Sequence, residues 1–208
     1  QWDNNLYFTH IGAEEGLSTT TINCFHQDAR GYMWIGTIDG LNRFDGENMM
    51  VYRTDPTDSN AIASGRINVI IEHENKLWIG TAEGISQFDY SVNHFRNYRS
   101  HDGFNRVKDL AYDQQNRRIW MATSHGGLKY LDIDSENIYT VQNDELRDAV
   151  PNGLAMINGR LYIGTIHHGV YQLDLNTFQT HQFFHNGSQN YYLPNNKITV
   201  LKPSHNGL

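Results

Sequence analysis

The sequence predicts an all-β protein made of repeated four-stranded antiparallel sheets, and three observations support this expectation. A five-residue segment ending in Gly-Thr or Ala-Thr, with an aromatic residue at its second position, occurs four times in the 208 residues. The aromatic positions are Trp34, Trp78, Trp120 and Tyr162, which are 44, 42 and 42 residues apart. Short β-type segments separated by turn residues fill each repeat. A period of about 40–45 residues with such segments is typical of a β-propeller blade.

Residues 49–92 show how one repeat can supply four strands. Residues 49–53 are apolar, β-branched and aromatic, whereas the segment up to Arg66 is rich in Asp, Asn, Ser and Gly. Three further β-type segments follow at 67–71, 77–81 and 85–89, and the last alternates as a half-exposed strand does. We therefore expect about four full repeats and a truncated fifth, at approximately 6–48, 49–92, 93–135, 136–177 and 178–208.

Several repeat positions predict structural roles. We expect the aromatic residues Trp34, Trp78, Trp120 and Tyr162 to be core wedges between neighbouring sheets. Glycine inside a strand normally costs stability, so its recurrence suggests close approach between blades; these glycines are Gly36, Gly80 and Gly164, with Ala122 in the third repeat. A second set follows the next turn and is expected to have positive φ: Gly40, Gly84, Gly127 and Gly169.

Composition excludes several classes of function. The formal net charge is −7, which gives little reason to expect nucleic acid or an anionic membrane as a partner. No run approaches the 18 apolar residues of a transmembrane helix. Cys24 is the single cysteine, so neither an internal disulfide nor a cysteine-based metal site is possible, and its apolar neighbours predict a buried structural thiol.

Both ends of the chain carry parts of the repeat. Residues 6–10 resemble a first strand, and such a strand could complete the last blade of a closed propeller. Residues 180–184 and 197–201 repeat the first and second strands, and residues 204–208 resemble the turn that precedes a Trp-containing strand. We therefore interpret the chain as a fragment of a larger propeller.

Candidate ligand-binding residues lie where the repeats differ, in the turn after each aromatic strand and at the ends of the long loops. Together these positions are expected to ring one mouth of the central channel, on loops held by a rigid scaffold. The candidates are Asp39, Glu83, His125, His167, His168, Arg66, Arg106 and Lys197. The matching register of the three cations suggests a positive rim suited to an acidic sugar or another anion. The alternative is that they hydrogen-bond loop carbonyls or a neighbouring blade.

Metal binding and catalysis are the weaker hypotheses for these residues. His167 and His168 could converge on a turn, but a zinc site would need further ligands from another blade. Asp39 and Glu83 occupy equivalent turns, so a paired-carboxylate site is conceivable. No nucleophile elbow or Gly-rich phosphate loop is present. We expect no metal, no cofactor and no catalytic residue.

The repeat sequence resembles that of the two-component regulator propeller family. It reads apolar-Trp-Ile-Gly-Thr, then Gly-Leu or Gly-Ile, then Phe-Asp, as in residues 33–45 and 77–89. Residues 8–18 and 28–34 resemble the segments that usually precede this motif in the family. The resemblance implies part of a seven-bladed propeller in the periplasmic sensor region of a hybrid two-component histidine kinase, as found in Bacteroidetes.

The resemblance also implies a function. Such proteins often regulate genes for carbohydrate utilisation, so an oligosaccharide or another small ligand is the expected partner. Further expected partners are the remaining blades, the downstream domains and a second copy of the protein, with no direct nucleic-acid contact by this fragment. Kinase activity would belong to regions outside this chain. A secreted propeller glycan lyase or hydrolase and a non-sensing interaction scaffold remain alternatives.

Overall fold

Four antiparallel sheets of four strands each form the part of the chain that the computed structural model describes, residues 9–103, 106–184 and 193–202. The first sheet contains β1 (Ile22–Gln27), β2 (Met33–Thr37), β3 (Leu41–Phe44) and β4 (Met49–Tyr52). The second contains β5 (Ile67–His73), β6 (Lys76–Thr81), β7 (Gly84–Asp89) and β8 (His94–Tyr98). The third contains β9 (Val107–Asp113), β10 (Arg118–Thr123), β11 (Leu128–Asp132) and β12 (Asn137–Thr140). After the short helix α1 (Asp144–Asp148), the fourth contains β13 (Pro151–Ile157), β14 (Arg160–Thr165), β15 (Val170–Leu173) and β16 (Thr180–Phe183).

Strands that are consecutive in the chain are neighbours in each sheet, which confirms the predicted blades of four antiparallel strands. Short hairpins make these connections. Between β5 and β6, for example, Glu74 and Asn75 have φ of 50° and 58°, as a two-residue turn matched to the twist of the strands requires. The innermost strands β1, β5, β9 and β13 pack side by side in that order.

The sheets are offset by one strand from the sequence repeats. Residues 49–52, interpreted as the first strand of the second repeat, form β4 and pair with β3 from Leu41↔Tyr52 to Phe44↔Met49. The interpretation of residues 49–92 as one sheet is therefore wrong, because this range holds β4 with β5, β6 and β7. The connection lengths explain the difference: residues 45–48 close a hairpin, whereas residues 53–66 cross to the next sheet.

The strands expected at the two ends differ from the prediction. Residues 180–183 form β16, the outermost strand of the fourth sheet, but residues 197–201 form no strand. The turn expected at residues 204–208 lies outside the described residues. At the other end, Thr9 and His10 are described without strand pairing, and residues 6–8 also lie outside the described part.

Aromatic side chains fill the space between neighbouring sheets. Trp34 is fully buried and contacts Tyr52 of its own sheet and Phe88 and Tyr90 of the second sheet at centroid distances of 5.0–6.3 Å. Trp78 and Trp120 are likewise buried. The fourth aromatic position, Tyr162, is only half-buried.

The glycines inside the second strand of the first, second and fourth sheets make room for side chains of the neighbouring inner segment. A Cβ at Gly36 would lie 2.6 Å from Ile67 Cγ2, and one at Gly80 would lie 2.7 Å from Val107 Cγ1. At Gly164 the corresponding neighbour is Ile198 Cγ2, 2.5 Å away, so residue 198 packs on the fourth sheet as inner-strand residues pack elsewhere. We expected the backbones of neighbouring blades to approach each other at these glycines. Instead, each glycine contacts a β-branched side chain of the neighbouring inner segment.

Cys24 belongs to this packing. Its sulfur lies 2.6 Å from the place that a Cβ on Gly36 would take, and the residue is half-buried. Burial raises the pKa of the Cys24 thiol to about 12. The thiol therefore stays protonated near neutral pH, as expected for a structural cysteine. Among the described residues, no helix is long and apolar enough to cross a membrane.

Candidate functional site

The turn between the second and third strands has the same hydrogen bonds in every sheet. Thr37 Oγ1 donates to the Gly40 carbonyl at 2.9 Å and accepts the Asp39 N–H at 3.0 Å. The equivalent threonines Thr81, Thr123 and Thr165 donate to the carbonyls of Gly84, Gly127 and Gly169 at 2.8–3.0 Å. The glycines that follow the turns all have positive φ, as predicted. The threonine therefore holds the turn, whereas the candidate side chains of the turns are exposed.

The long loops end beside these turns. The Ala82 N–H donates to the Arg66 carbonyl at 3.1 Å, and the Ser124 N–H donates to the Arg106 carbonyl at 3.0 Å. In the fourth sheet, the Gly169 N–H donates to the carbonyl of Asn196, the residue before Lys197, at 2.9 Å. Turns and loop ends consequently share one face of the four sheets, which we call the mouth face. All eight candidates lie there with exposed side chains: Asp39, Glu83, His125, His167, His168, Arg66, Arg106 and Lys197.

The mouth face has few internal ion pairs. Asp39 lies 3.9 Å from Arg53, and both side chains are more than half exposed, so this pair contributes little to stability. Within the described part of the chain, no carboxylate pairs with Arg66, Arg106 or Lys197. These three cations keep their charge available to a ligand, and their binding role stays a prediction.

The two histidines of the fourth turn do not form a metal cluster. The rings of His167 and His168 are 6.4 Å apart and nearly perpendicular. No group of three His, Cys, Asp or Glu residues in the described ranges is arranged to hold a metal ion.

The loops of the mouth face are anchored by buried polar residues that sequence reasoning missed. These anchors occupy the second or neighbouring position of the third strand: Asn42, Ser86 and Lys129, all at most 1% exposed. Asn42 accepts the Ser18 N–H at 2.9 Å, and Ser86 accepts the Ala63 N–H at 3.1 Å. A polar residue inside an apolar register was the signal available in the sequence.

The anchor of the third sheet is an ion pair between a buried lysine and a partly exposed aspartate. Lys129 Nζ lies 2.5 and 2.6 Å from the two carboxylate oxygens of Asp102 and donates to Ser100 Oγ at 2.8 Å. Lys129 is 1% exposed, whereas Asp102 is 39% exposed. Asp102, His125 and Arg147 line a cleft of about 250 Å³ on the mouth face. The candidate His125 thus lies beside a loop that is held electrostatically.

A cavity of the second sheet lies away from these candidates. It has a volume of about 920 Å³ and separates the loop of residues 54–63 from the outer strands of the second sheet. Lys76, His94, Arg96 and Asp55 are among its lining residues. None of the eight predicted residues lines it.

Inner strands are joined to the next sheet by asparagines placed at β-bulges. The register of β1 and β5 shifts between residues 22 and 24 and between 67 and 69, which leaves Asn23 and Asn68 as the extra residues. Each side-chain amide donates to the first inner-strand carbonyl of the next sheet, that of Ile67 or Val107, at 2.7 Å. In the fourth sheet Asn152 donates to the Ile198 carbonyl at 3.1 Å. Bulges re-aim side chains in this way.

Asp109 is a half-buried carboxylate on the inner strand of the third sheet. Its Oδ2 accepts the Leu154 N–H at 2.8 Å, which joins the third and fourth sheets. Burial raises the pKa of Asp109, although the Leu154 hydrogen bond and the charge of Lys202 act in the opposite direction. The charged form of Asp109 is therefore less favourable in the folded protein than in the unfolded chain.

Asp109→Asn should be at least as stable as the wild type at pH 7. Because the pKa of Asp109 is higher in the folded protein than its unfolded value of about 3.9, the folded state binds more protons between these two pKa values. This carboxylate therefore lowers the free energy of unfolding as pH rises through that window. Asparagine keeps an acceptor for the Leu154 N–H and has no charge.

Urea unfolding of both proteins from pH 3.5 to 7 would test this expectation. The variant minus wild-type difference should increase with pH, while effects of the carboxylates with lowered pKa, such as Asp45 and Asp174, cancel. A difference that is constant with pH would contradict the assignment.

The first comparison with known proteins concerns the opening of the first sheet. The family model described as "Two component regulator propeller" matches residues 16–39, which contain β1, β2 and the first turn of the mouth face. The chain carries a two-component regulator propeller repeat. The predicted family resemblance is thereby confirmed.

Relatives of this propeller include sensor proteins. Histidine kinase P4 from Formosa agariphila is 39% identical over 61 residues, which are 29% of this chain and 4% of that protein. The extracellular domain of a hybrid two-component system from B. thetaiotaomicron is 26% identical with a TM-score of 0.72, covering 85% of this chain and 26% of that chain.

A second extracellular domain from B. thetaiotaomicron, of a one-component system, has a TM-score of 0.76 at 21% identity and covers 90% of this chain and 25% of that chain. This likeness shows the fold. The propeller thus spans about a quarter of these extracellular domains and a small part of the kinase. Together the matches support a sensor propeller.

Proposed function

We propose that this chain is a ligand-sensing propeller module of a hybrid two-component sensor histidine kinase, and that it works on the periplasmic side of the membrane. The observation that carries the proposal is the 26% identity over 85% of the chain to an extracellular domain of such a system. Regulation of carbohydrate utilisation genes is the finer part of the proposal. Catalysis by the kinase would lie outside these residues.

The mouth face is the proposed ligand site. Its turns are held by threonine and its loops by buried anchors, so the variable side chains stand on a rigid frame, as recognition requires. An oligosaccharide or another small ligand would contact the eight candidate residues. Binding would favour one arrangement of the downstream domains or of a homodimer, and this population shift would be the signal.

An Arg66→Ala/Arg106→Ala double variant would test this proposal in the full-length protein. Transcription of neighbouring genes would be measured in bacteria grown on a panel of purified polysaccharides. We expect at least one polysaccharide to induce transcription, with the half-maximal concentration about tenfold higher in the double variant, because charged hydrogen bonds are lost. Both side chains are exposed, so the fold should be retained.

Arg160→Ala is the matched control, because Arg160 is exposed on the β13–β14 hairpin, at the opposite end of its strand from the mouth-face turn. It should leave induction unchanged. Absence of induction by every polysaccharide, or equal induction in the double variant, would contradict the proposal. New products after incubation of the chain with oligosaccharides would favour a lyase or hydrolase instead.

A further inference from the structure

The third sheet breaks the series of asparagines that join inner strands. Asn23, Asn68 and Asn152 are bulge residues that hydrogen-bond a carbonyl of the next inner segment. In β9 the register shifts between the pairs Thr123↔Val107 and Ala122↔Asp109, so the bulge residue is Lys108. A cation therefore stands where the other three sheets have a neutral amide.

Lys108 has no partner of opposite charge among the residues that the structure describes. In the described part of the chain, no carboxylate forms an ion pair with Lys108 or with Arg106. The carboxylate of the adjacent Asp109 accepts the Leu154 N–H at 2.8 Å, and it forms no ion pair with Lys108. The charge of Lys108 is thus not neutralised by its closest acidic neighbour in sequence.

Arg106 adds a second positive charge near Lys108. Arg106 lies immediately before β9 and two residues before Lys108, and its carbonyl is fixed by the Ser124 N–H at 3.0 Å. Burial, and secondarily the charge of Arg106, lowers the pKa of Lys108. Neighbouring cations that have no ion-pair partner in the described part of the chain are stabilised when an anion binds between them.

We propose that Arg106 and Lys108 form a binding site for an oxyanion of the sensed ligand, at the mouth-face end of the third inner strand. The ligand group would be a carboxylate, a sulfate ester or a phosphate ester, and Lys108 would determine the preference for charged over neutral ligands. This inference rests on the proposed function only in taking the mouth face as the sensing surface.

Lys108→Asn separates binding from folding, because it restores the residue found at the other three bulges. Its amide can donate to the Pro151 carbonyl as Asn68 donates to that of Val107, so the melting temperature should not fall. The purified 208-residue chain would be titrated by calorimetry at low salt with D-glucuronate, D-glucose 6-sulfate, D-glucose 6-phosphate and neutral D-glucose. These probes distinguish the three sources of the oxyanion.

We expect saturable binding of at least one anionic probe and none of D-glucose. Loss of one charge-assisted contact should weaken binding about tenfold or more in Lys108→Asn, and added salt should weaken it in the wild type. Lys76→Asn is the matched control, because Lys76 begins β6 at the hairpin opposite the mouth face, and its affinity should stay within about twofold of the wild type.

Two results would overturn the oxyanion site. One is the absence of saturable binding by any anionic probe up to about 10 mM, since a dissociation constant of 1 mM corresponds to only about −4.1 kcal/mol. The other is equal affinity in the wild type and Lys108→Asn. Neither result alters polysaccharide-induced transcription, so sensing by the mouth face would fail only in its own test.

Discussion

Trp34→Ala is expected to lower the free energy of unfolding by about 3–5 kcal/mol, the range typical of a large aromatic residue removed from a core. Trp34 is fully buried between the first and second sheets. Its indole N–H donates to Asp28 Oδ2 at 2.7 Å, and Asp28 is itself 4% exposed. The substitution would therefore leave a cavity and also remove one of the donors that compensate a buried carboxylate.

Two comparisons separate packing from hydrogen bonding. Tyr162→Ala should cost clearly less than Trp34→Ala in urea unfolding, because Tyr162 occupies the same repeat position but is half-buried. Trp34→Phe should cost more than Trp120→Phe, since Trp120 is equally buried but its N–H has no hydrogen-bond partner among the described residues. An unchanged free energy of unfolding in Trp34→Ala would show that Trp34 is not a wedge between sheets.

Asp102→Ala should destabilise the protein by about 3 kcal/mol, because it leaves the buried ammonium group of Lys129 without its counter-ion. This value is at the low end of the range for buried pairs, since the Asp102 side chain is 39% exposed and water screens part of the interaction. Adding Lys129→Met should recover most of the loss, because an apolar side chain of similar length can occupy the same buried position.

Urea unfolding of the two single variants and the double variant gives the coupling free energy directly. Asp58→Ala is the control, since Asp58 is an exposed loop residue whose carboxylate accepts the Asn60 N–H at 2.8 Å. It should cost about 1 kcal/mol or less. If Asp102→Ala were as mild as the control, the ion pair would not anchor the loop.

Much of the architecture could be predicted because the same local hydrogen bonds and close contacts select the same residue types in successive repeats. The threonine and glycine of each turn recur because Thr37 and its equivalents hydrogen-bond the same carbonyl in every sheet. Gly36 and Gly80 recur because Ile67 and Val107 of the next sheet need the space. These are short-range or strictly periodic constraints, and a periodic sequence reveals them.

The candidate site was predictable only in part. The turns and loop ends were correctly expected on one face, because a shared repeat position implies a shared place in the sheet. The pair of Lys129 with Asp102 and the bulge at Lys108 were missed, since each depends on contacts with a loop or on a register shift that no single repeat displays. The assignment of residues 49–52 failed for a related reason, because strand pairing follows connection length as well as strand pattern.

The sequence by itself determined the repeat, the all-β blades, the aromatic and glycine positions and the family resemblance, because periodic burial selects the same residue types in every copy. Tertiary structure alone decided which strands share a sheet and which polar groups become buried anchors. It also decided that Lys108 stands in the place of a neutral asparagine. Those properties arise from contacts between residues far apart in the chain, whose energies depend on geometry that the amino-acid order does not display.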